Sequence, residues 1–367
     1  MVGGRGVRPV EAPRDSLREL ILCLAGAVPP ERVEQHVPMS SHTSFRIGGP
    51  ADLLVTAHDV DELLAVLGCC RRENVPLLVL GRGTNLLVRD GGIRGAVLRL
   101  AGGFTELSFD GETVRAGAAV SVSSLAREAG RRGLTGLEFA IGIPGTVGGA
   151  IVMNAGAYGS EMRNVVEWVE AVVPGTPLDA MPTGDRPARD HPPDCAARDG
   201  GGQDRVIRAP SDRLDFGYRT SRPGREGWIV TAAGLRLATG DPARIAALEK
   251  DYTARRRARQ PLDFPSAGSV FKRPEGHYAG PLIQDAGCKG LRVGGAEVST
   301  LHANFIVNRG GATAADVLAL IEEVRRRVRD RCGMWLETEI RVVGEGPEPE
   351  AASALRVEPG ARRQESL

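Results

Sequence analysis

Gly142-Ile143-Pro144-Gly145-Thr146-Val147-Gly148-Gly149, with Asn154-Ala155-Gly156-Ala157-Tyr158-Gly159 close behind, is the stretch that decides the fold. Glycines this dense, interleaved with Ile and Val, imply main chain lying flat against a large planar or phosphorylated ligand. The alternative is a Gly-rich crossover inside the core. A shorter loop, Gly81-Arg82-Gly83-Thr84-Asn85-Leu86, follows the apolar run Val75 to Leu80. Its glycines let backbone N–H groups approach an anion, and Thr84 and Asn85 add polar groups. A structural turn is the alternative there. Neither loop is a Walker loop or a G-x-G-x-x-G fingerprint. Two separated loops of this kind suit a dinucleotide, whose pyrophosphate and ring need separate cradles.

Outward from these loops, strand and helix patterns alternate. Strands are expected at Ala51–Ala57, Val75–Leu80, Val165–Val173, Trp228–Leu237, Asn304–Asn308 and Trp335–Val343. Helices are expected at Val60–Arg72, Ser121–Arg132, Pro242–Arg259, Ala279–Ala286 and Thr313–Arg331. Asp110-Gly111 marks a hairpin between Phe104–Phe109 and Thr113–Ala116. Leu17, Leu20, Ile21 and Leu24 follow helical spacing, with Asp15 or Ser16 as N-cap. Residues 1–14, 174–205 and those beyond Gly344 are expected to be disordered. The 174–205 segment has six Pro and five Gly in 32 residues and no Ile, Val or aromatic residue, too little to offset ordering entropy. His191 and Cys195 within it are therefore set aside as site candidates.

The 367 residues suffice for two or three domains, and the formal charge of +1 argues against nucleic acid or an anionic membrane as partner. No apolar run reaches the ~18 residues of a membrane span, and a basic leader before Leu20 is spoiled by Glu11, Asp15 and Glu19. A cytoplasmic protein is expected. Six scattered cysteines with no C-x-x-C and no zinc spacing imply no metal site, and free buried thiols are the default. Of 47 basic residues only Lys250, Lys272 and Lys289 are lysines, leaving 44 arginines, so any single Arg carries little weight.

Further motifs run in order along residues 40–344: Ser41 to Asp52, Gly136-Leu137-Glu138-Phe139, Tyr218-Arg219-Thr220-Ser221, Ser266 to Lys272, Ala286-Gly287-Cys288-Lys289-Gly290, His302-Ala303-Asn304-Phe305 and Leu336 to Arg341. Together with the glycine loops they resemble the UDP-N-acetylenolpyruvoylglucosamine reductase (MurB) family, type II subgroup. The resemblance implies an α+β chain: an FAD-binding domain of the vanillyl-alcohol-oxidase (PCMH) type at 41–235, then a MurB-type α/β substrate domain at 236–344. It further implies an N-terminal extension and helix at 1–40, a last strand returning to the FAD domain, and a disordered tail at 345–367. The long insertion, the two ends and Cys288 depart from the family pattern.

The implied reaction reduces an enolpyruvyl ether to a lactyl ether, UDP-N-acetylmuramate, using noncovalent FAD and NADPH as hydride donor, for peptidoglycan precursor synthesis. A negative charge building on the substrate carboxylate must be stabilised and a proton delivered to the adjacent carbon. On the family pattern Arg219 stabilises the enolate, Ser269 donates the proton and Glu339 is the third catalytic residue. In a strand, Glu337, Glu339 and Arg341 would share one face, with Arg341 pairing Glu339 or touching the flavin. Cofactor contacts are expected from Gly81, Arg82, Gly83, Thr84, Asn85, Leu86, Gly142, Ile143, Pro144, Gly145, Val147, Gly148, Gly149, Asn154, Ala155, Gly156 and Arg341. For the substrate diphosphate Lys272 and Arg256 or Arg257 are candidates, then Gln284 and Asn304. The run Arg255-Arg256-Arg257 is otherwise a solvated helix face. A monomer or weak oligomer is expected. Competing readings are another FAD oxidase of the same fold, disfavoured because no His lies within 81–149 for covalent attachment, and an inactive nucleotide-binding paralogue, disfavoured by intact Arg219, Ser269 and Glu339.

Overall fold

The computed structural model describes residues 14–175, 204–346 and 358–359. The expectations for residues 1–13, for His191 and Cys195, and for most of the insertion and tail lie outside the described residues.

Helix α1 (Arg14–Leu24) starts before both Asp15 and Ser16, so neither caps it from outside. Strands β1 (Val33–Pro38) and β2 (Pro50–Ala57) pair antiparallel. Helix α2 (Val60–Arg72) forms as its pattern predicts: Asp59 accepts from Glu62 N–H at 2.8 Å, acids fill the first turn and Arg71 and Arg72 the last. Strands β3 (Leu77–Leu80), β4 (Leu86–Val88) and β5 (Ile93–Leu100) follow, and the sheet order is β1-β2-β5-β3 with β2, β5 and β3 parallel. Leu63, Val66 and Leu67 of α2 pack on this sheet together with Leu20 and Leu24 of α1. That packing brings Cys23 against Cys69, and the two form a disulfide. The expectation of free buried thiols fails there, and also at exposed Cys332, but holds for Cys70 and Cys288. Residues 14–40 are thus part of the first sheet and its cover rather than a separate extension.

The second sheet is antiparallel. It contains β6 (Leu107–Asp110) and β7 (Thr113–Gly117), joined at Asp110-Gly111, where Gly111 has φ +54°. Phe104 lies outside this hairpin, in a short 3-10 turn. Helix α3 (Val122–Arg131), β8 (Leu134–Thr135), α4 (Val147–Val152), β9 (Gly156–Ala157) and β10 (Ser160–Glu161) precede β11 (Val166–Val173) and β12 (Arg205–Pro210). These two strands pair up to Val173 and Arg205, and Asp204 accepts from Gly175 N–H at 3.2 Å, closing the base of the insertion. Helix α5 (Arg222–Glu226), β13 (Ile229–Arg236) and β14 (Ala238–Thr239) complete this half, whose sheet order is β12-β11-β13-β7-β6. Helix α6 (Pro242–Arg259) packs on α3 and β8, with Tyr252 against the core of this half. A boundary at 236 therefore misplaces α6, which belongs structurally with the first domain.

The remaining unit has α7 (Ala279–Asp285), β15 (Leu291–Val293), β16 (Ala296–Val298), β17 (Ile306–Asn308) and α8 (Ala314–Cys332). Val317, Leu320, Ile321 and Val324 of α8 bury against Val293, Val298 and Ile306. Strand β18 (Arg341–Val343) pairs parallel with β4, and Val343 joins Leu80 and Val88 in a core of the first domain. The regular strand is only these three residues: Trp335 to Ile340 is irregular apart from a bridge between Thr338 and Phe271. The expected disorder from 345 is also corrected in its described part. Glu345 exchanges backbone hydrogen bonds with Gly91 and Gly92, each at 2.8 Å, and β19 (Glu358–Pro359) pairs with β15. No described helix is long and apolar enough to cross a membrane.

Asp90 couples the two units. Its carboxylate accepts from Ala314 and Ala315 N–H at 2.8 and 3.0 Å, placing a negative charge at the N-terminus of α8. Asp90→Ala is expected to cost about 1–2 kcal/mol, read by chemical unfolding, with Asp90→Asn losing less. An unchanged midpoint for Asp90→Ala would contradict this coupling.

Candidate active site

The two glycine loops face each other across a cleft. Gly83 has φ +59°, and a Cβ there would lie 2.3 Å from the His42 carbonyl oxygen. A Cβ on Gly81 would meet Thr146 Oγ1 at 2.8 Å. Side chains are excluded at these contacts, so main chain forms the wall. Thr84 Oγ1 reaches the Pro144 carbonyl at 3.4 Å. The cleft holds about 680 Å³ and is lined by Ser41–Ser44, Gly81, Arg82, Thr84, Gly142, Pro144 and four further arginines, Arg99, Arg127, Arg256 and Arg257. That size suits a cofactor-sized ligand.

Only part of the expected loop set faces this space. Val147 N–H is spent on Val120 O and Gly148 N–H on Ala118 O, both at 2.9 Å, and Gly149 N–H on the Thr146 cap. Asn154 is fully buried with φ +42°; its Nδ2 donates to Gly217 O at 3.0 Å and its Oδ1 accepts from Arg163 N–H. Ala155 N–H is bonded to Ala150 O, and Gly156 pairs with Glu161 in the small β9–β10 ribbon. Residues 154–156 therefore serve the protein's own framework. Their signal as ligand contacts was glycine density, which here reflects close packing of main chain on main chain. Gly83, Asn85, Leu86, Ile143 and Gly145 shape the loops without lining the cleft itself.

A second constellation forms where three segments meet. Asn154 holds the Gly217–Thr220 turn, and Ser221 Oγ donates to Val152 O at 2.9 Å. These anchors support Arg219 in the left-handed region at φ +56°. From there its Nε donates to Glu339 Oε1 at 2.6 Å, with side chains 25% and 13% exposed. Among the described residues Nη1 and Nη2 of Arg219 have no hydrogen bond, and the guanidinium carbon lies 5.3 Å from the Tyr218 ring centroid. Glu339 N–H donates to Val270 O at 2.7 Å, directly after Ser269, and the Glu339 carbonyl accepts from Asn85 Nδ2 at 3.1 Å. Arg219, Ser269 and Glu339 are thus brought together, beside the first glycine loop. Burial raises the Glu339 carboxyl above its ordinary range; Arg219 and, less strongly, Lys272 oppose this.

Strand alternation is not what orients Glu339. Glu337, two residues earlier, has a side chain 72% exposed and pairs with Lys272 at 3.0 Å, while Leu336 and Ile340 anchor the irregular segment in the core. Arg341 lies exposed on β18, its N–H bonded to Asn85 O at 2.9 Å.

The expected diphosphate residues scatter. Arg256 and Arg257 line the glycine-loop cleft, whereas Lys272 lies beside Glu337. Gln284 is exposed on α7. Asn304 is buried, and its amide is spent on Phe271: Oδ1 accepts from Phe271 N–H and Nδ2 donates to Phe271 O, both at 2.9 Å. It is a clamp on the Ser269 segment and not a free contact. Tyr218 went unnoticed in the sequence as a tie: its hydroxyl accepts from Arg273 N–H at 3.2 Å, joining the Arg219 turn to the same segment. Asn304→Ala leaves two buried backbone groups of Phe271 unpaired, so a loss of about 2–4 kcal/mol in chemical unfolding is expected; wild-type stability would contradict the clamp.

Residues 260–343 match the C-terminal domain family of UDP-N-acetylenolpyruvoylglucosamine reductase, and residues 51–176 match an FAD binding domain family. The chain is 45% identical to the UDP-N-acetylenolpyruvoylglucosamine reductase of Heliobacterium modesticaldum over 85% of its length and 90% of that protein. It is 44% identical to the one of Alkaliphilus oremlandii over 88% of its own length and 97% of that relative. The crystal structure of UDP-N-acetylenolpyruvylglucosamine reductase (MurB) from Thermus caldophilus aligns with a TM-score of 0.66 at 37% identity, covering 85% of this chain and 99% of that one. With its glycine-walled cleft, its convergent Arg219, Ser269 and Glu339 and these relatives along most of its length, the chain belongs to the UDP-N-acetylenolpyruvoylglucosamine reductase family.

Proposed function

We infer that the chain catalyses the NADPH-dependent reduction of UDP-N-acetylglucosamine enolpyruvate to UDP-N-acetylmuramate, with Arg219, Ser269 and Glu339 as the catalytic set. The observation that carries this reading is the meeting of those three residues beside a cleft of dinucleotide size. The cleft fits FAD: its walls are main chain that a Cβ would fill, and its arginines suit a diphosphate. Gly81–Thr84 and Gly142–Pro144 would hold it. The chemistry FAD would supply there is hydride transfer between NADPH and the vinyl carbon of the enol ether.

The side chains supply the rest. Arg219 donates to Glu339 through Nε, and among the described residues no hydrogen bond engages its two terminal nitrogens, which suits them to the substrate carboxylate. A guanidinium in that position stabilises charge as it builds on the carboxylate and can meet it with two N–H donors. Glu339 fixes the plane of the guanidinium. Ser269 has no protein partner for its hydroxyl among the described residues, so the hydroxyl is available to give its proton to the carbon beside the carboxylate. Asn304, Tyr218 and Asn154 act indirectly, by holding the segments that carry Ser269 and Arg219. We assign the substrate to the side of the site formed by 260–344, with Lys272 at its edge.

The purified protein is expected to be yellow and to oxidise NADPH only when the enolpyruvyl sugar is added. Absence of flavin, or turnover indifferent to that sugar, would overturn the assignment. Ser269→Ala is expected to keep flavin reduction by NADPH while reoxidation by the enolpyruvyl sugar slows by about 10²–10⁴-fold in stopped flow. Equal loss in both half-reactions would refute the proton-donor role.

A further inference from the structure

We propose that Arg256, delivered from α6, is the residue that neutralises the cofactor diphosphate, and that Tyr158 positions it. This rests on the reading that the cleft takes FAD. Arg256 is half-buried with its Cδ laid along the Gly142 main chain, where a Cβ on Gly142 would come within 2.6 Å. Among the described residues it has neither an ion-pair partner nor a hydrogen-bond acceptor. Its neighbours in the cleft, Arg99, Arg127 and Arg257, likewise have no carboxylate within ion-pair distance among the described residues, although elsewhere in the molecule arginines are routinely paired, as Arg255 is with Asp251 at 2.8 Å. A half-buried cation without a counter-charge is costly, as Arg256 is, and with Arg99 and the exposed Arg127 and Arg257 beside it the wall concentrates positive charge that suits an anion. Burial pushes the Arg256 guanidinium below its ordinary value, and the Tyr158 hydroxyl opposes that.

The side chain is held in place from behind. Tyr158 and Tyr252 stack with ring centroids 4.1 Å apart, and the Tyr158 hydroxyl donates to Tyr252 O at 2.9 Å. Tyr252 is one helical turn before Arg256 on α6, so this contact fixes the turn that aims the guanidinium at the glycine loop. Tyr158 itself has φ +54°, a conformation that a bulky residue adopts only when its surroundings enforce it. The stretch from Asn154 to Gly159, which does not itself line the cleft, thereby reaches it through α6.

The test is FAD affinity of the full-length flavin-stripped protein, by quenching of flavin fluorescence at low and high salt. Arg256→Gln is expected to raise the Kd 10–100-fold and to flatten its salt dependence. Arg256→Lys, which keeps the charge without the fork, and Tyr158→Phe are expected to raise it about threefold to tenfold. Arg255→Gln removes the same charge from the same helix and is expected to stay within about threefold of wild type. Wild-type affinity in Arg256→Gln, or in a folded Arg256→Lys should the Gln variant not fold, would overturn the proposal, as would equal weakening in Arg255→Gln. Wild-type affinity in Tyr158→Phe would overturn the positioning role. A wild-type protein that binds no FAD would instead remove the reading on which the proposal rests.

Discussion

Glu339 is the point on which the site depends. Its carboxylate takes Arg219, its N–H takes the Val270 carbonyl and its carbonyl takes Asn85. Those partners come from the turn before α5, from the Ser269 segment and from the first glycine loop. One residue therefore ties the Arg219 turn, the segment that carries Ser269 and the first glycine loop to one another. The arrangement is buried enough to raise the Glu339 carboxyl above its ordinary range despite an arginine in contact. In so shielded a pair, losing one partner leaves the other poorly solvated, which makes the geometry stiff.

The architecture explains how a residue near the C-terminal end reaches a site built mainly by earlier chain. Strand β18 enters the first domain beside β4, immediately after Glu339, and its Val343 is buried there. Asp90, in the loop after β4, caps α8 from the opposite direction. Ser44 Oγ donates to Ser266 O at 2.7 Å and Asn308 Nδ2 to Phe45 O at 3.2 Å, so the two units are joined along the rim of the site as well. The candidate site lies at a seam that several independent contacts hold in register.

Much of this was legible in the sequence, for identifiable reasons. Helices α2 and α6 match their patterns from end to end because Asp59, and Asp241 with Pro242, supply local start signals. Arg219, Ser269 and Glu339 stand out in the sequence only through motif context, since Arg219 alone is one of 44 arginines, and the fold places their segments together. What failed depended on tertiary contacts. The Cys23–Cys69 bridge follows from α1 packing on α2, which no spacing encodes. Trp335 to Ile340 alternates like a strand, yet its main chain is drawn to Val270 and Asn85 instead of a continuous ladder. Asn154 enters the expected contacts through the glycine-dense stretch around it and Asn304 as a diphosphate candidate; in the fold both side chains hold neighbouring main chain.

The most direct test of Glu339 as this organising point is a double-mutant cycle with Arg219→Gln and Glu339→Gln, read as the rate at which the enolpyruvyl sugar reoxidises the NADPH-reduced protein. If the pair acts as one unit, the double variant will be about as slow as the slower single variant. Effects that multiply, with the double variant slowed by the product of the two single losses, would show that Arg219 and Glu339 act independently and would contradict the account.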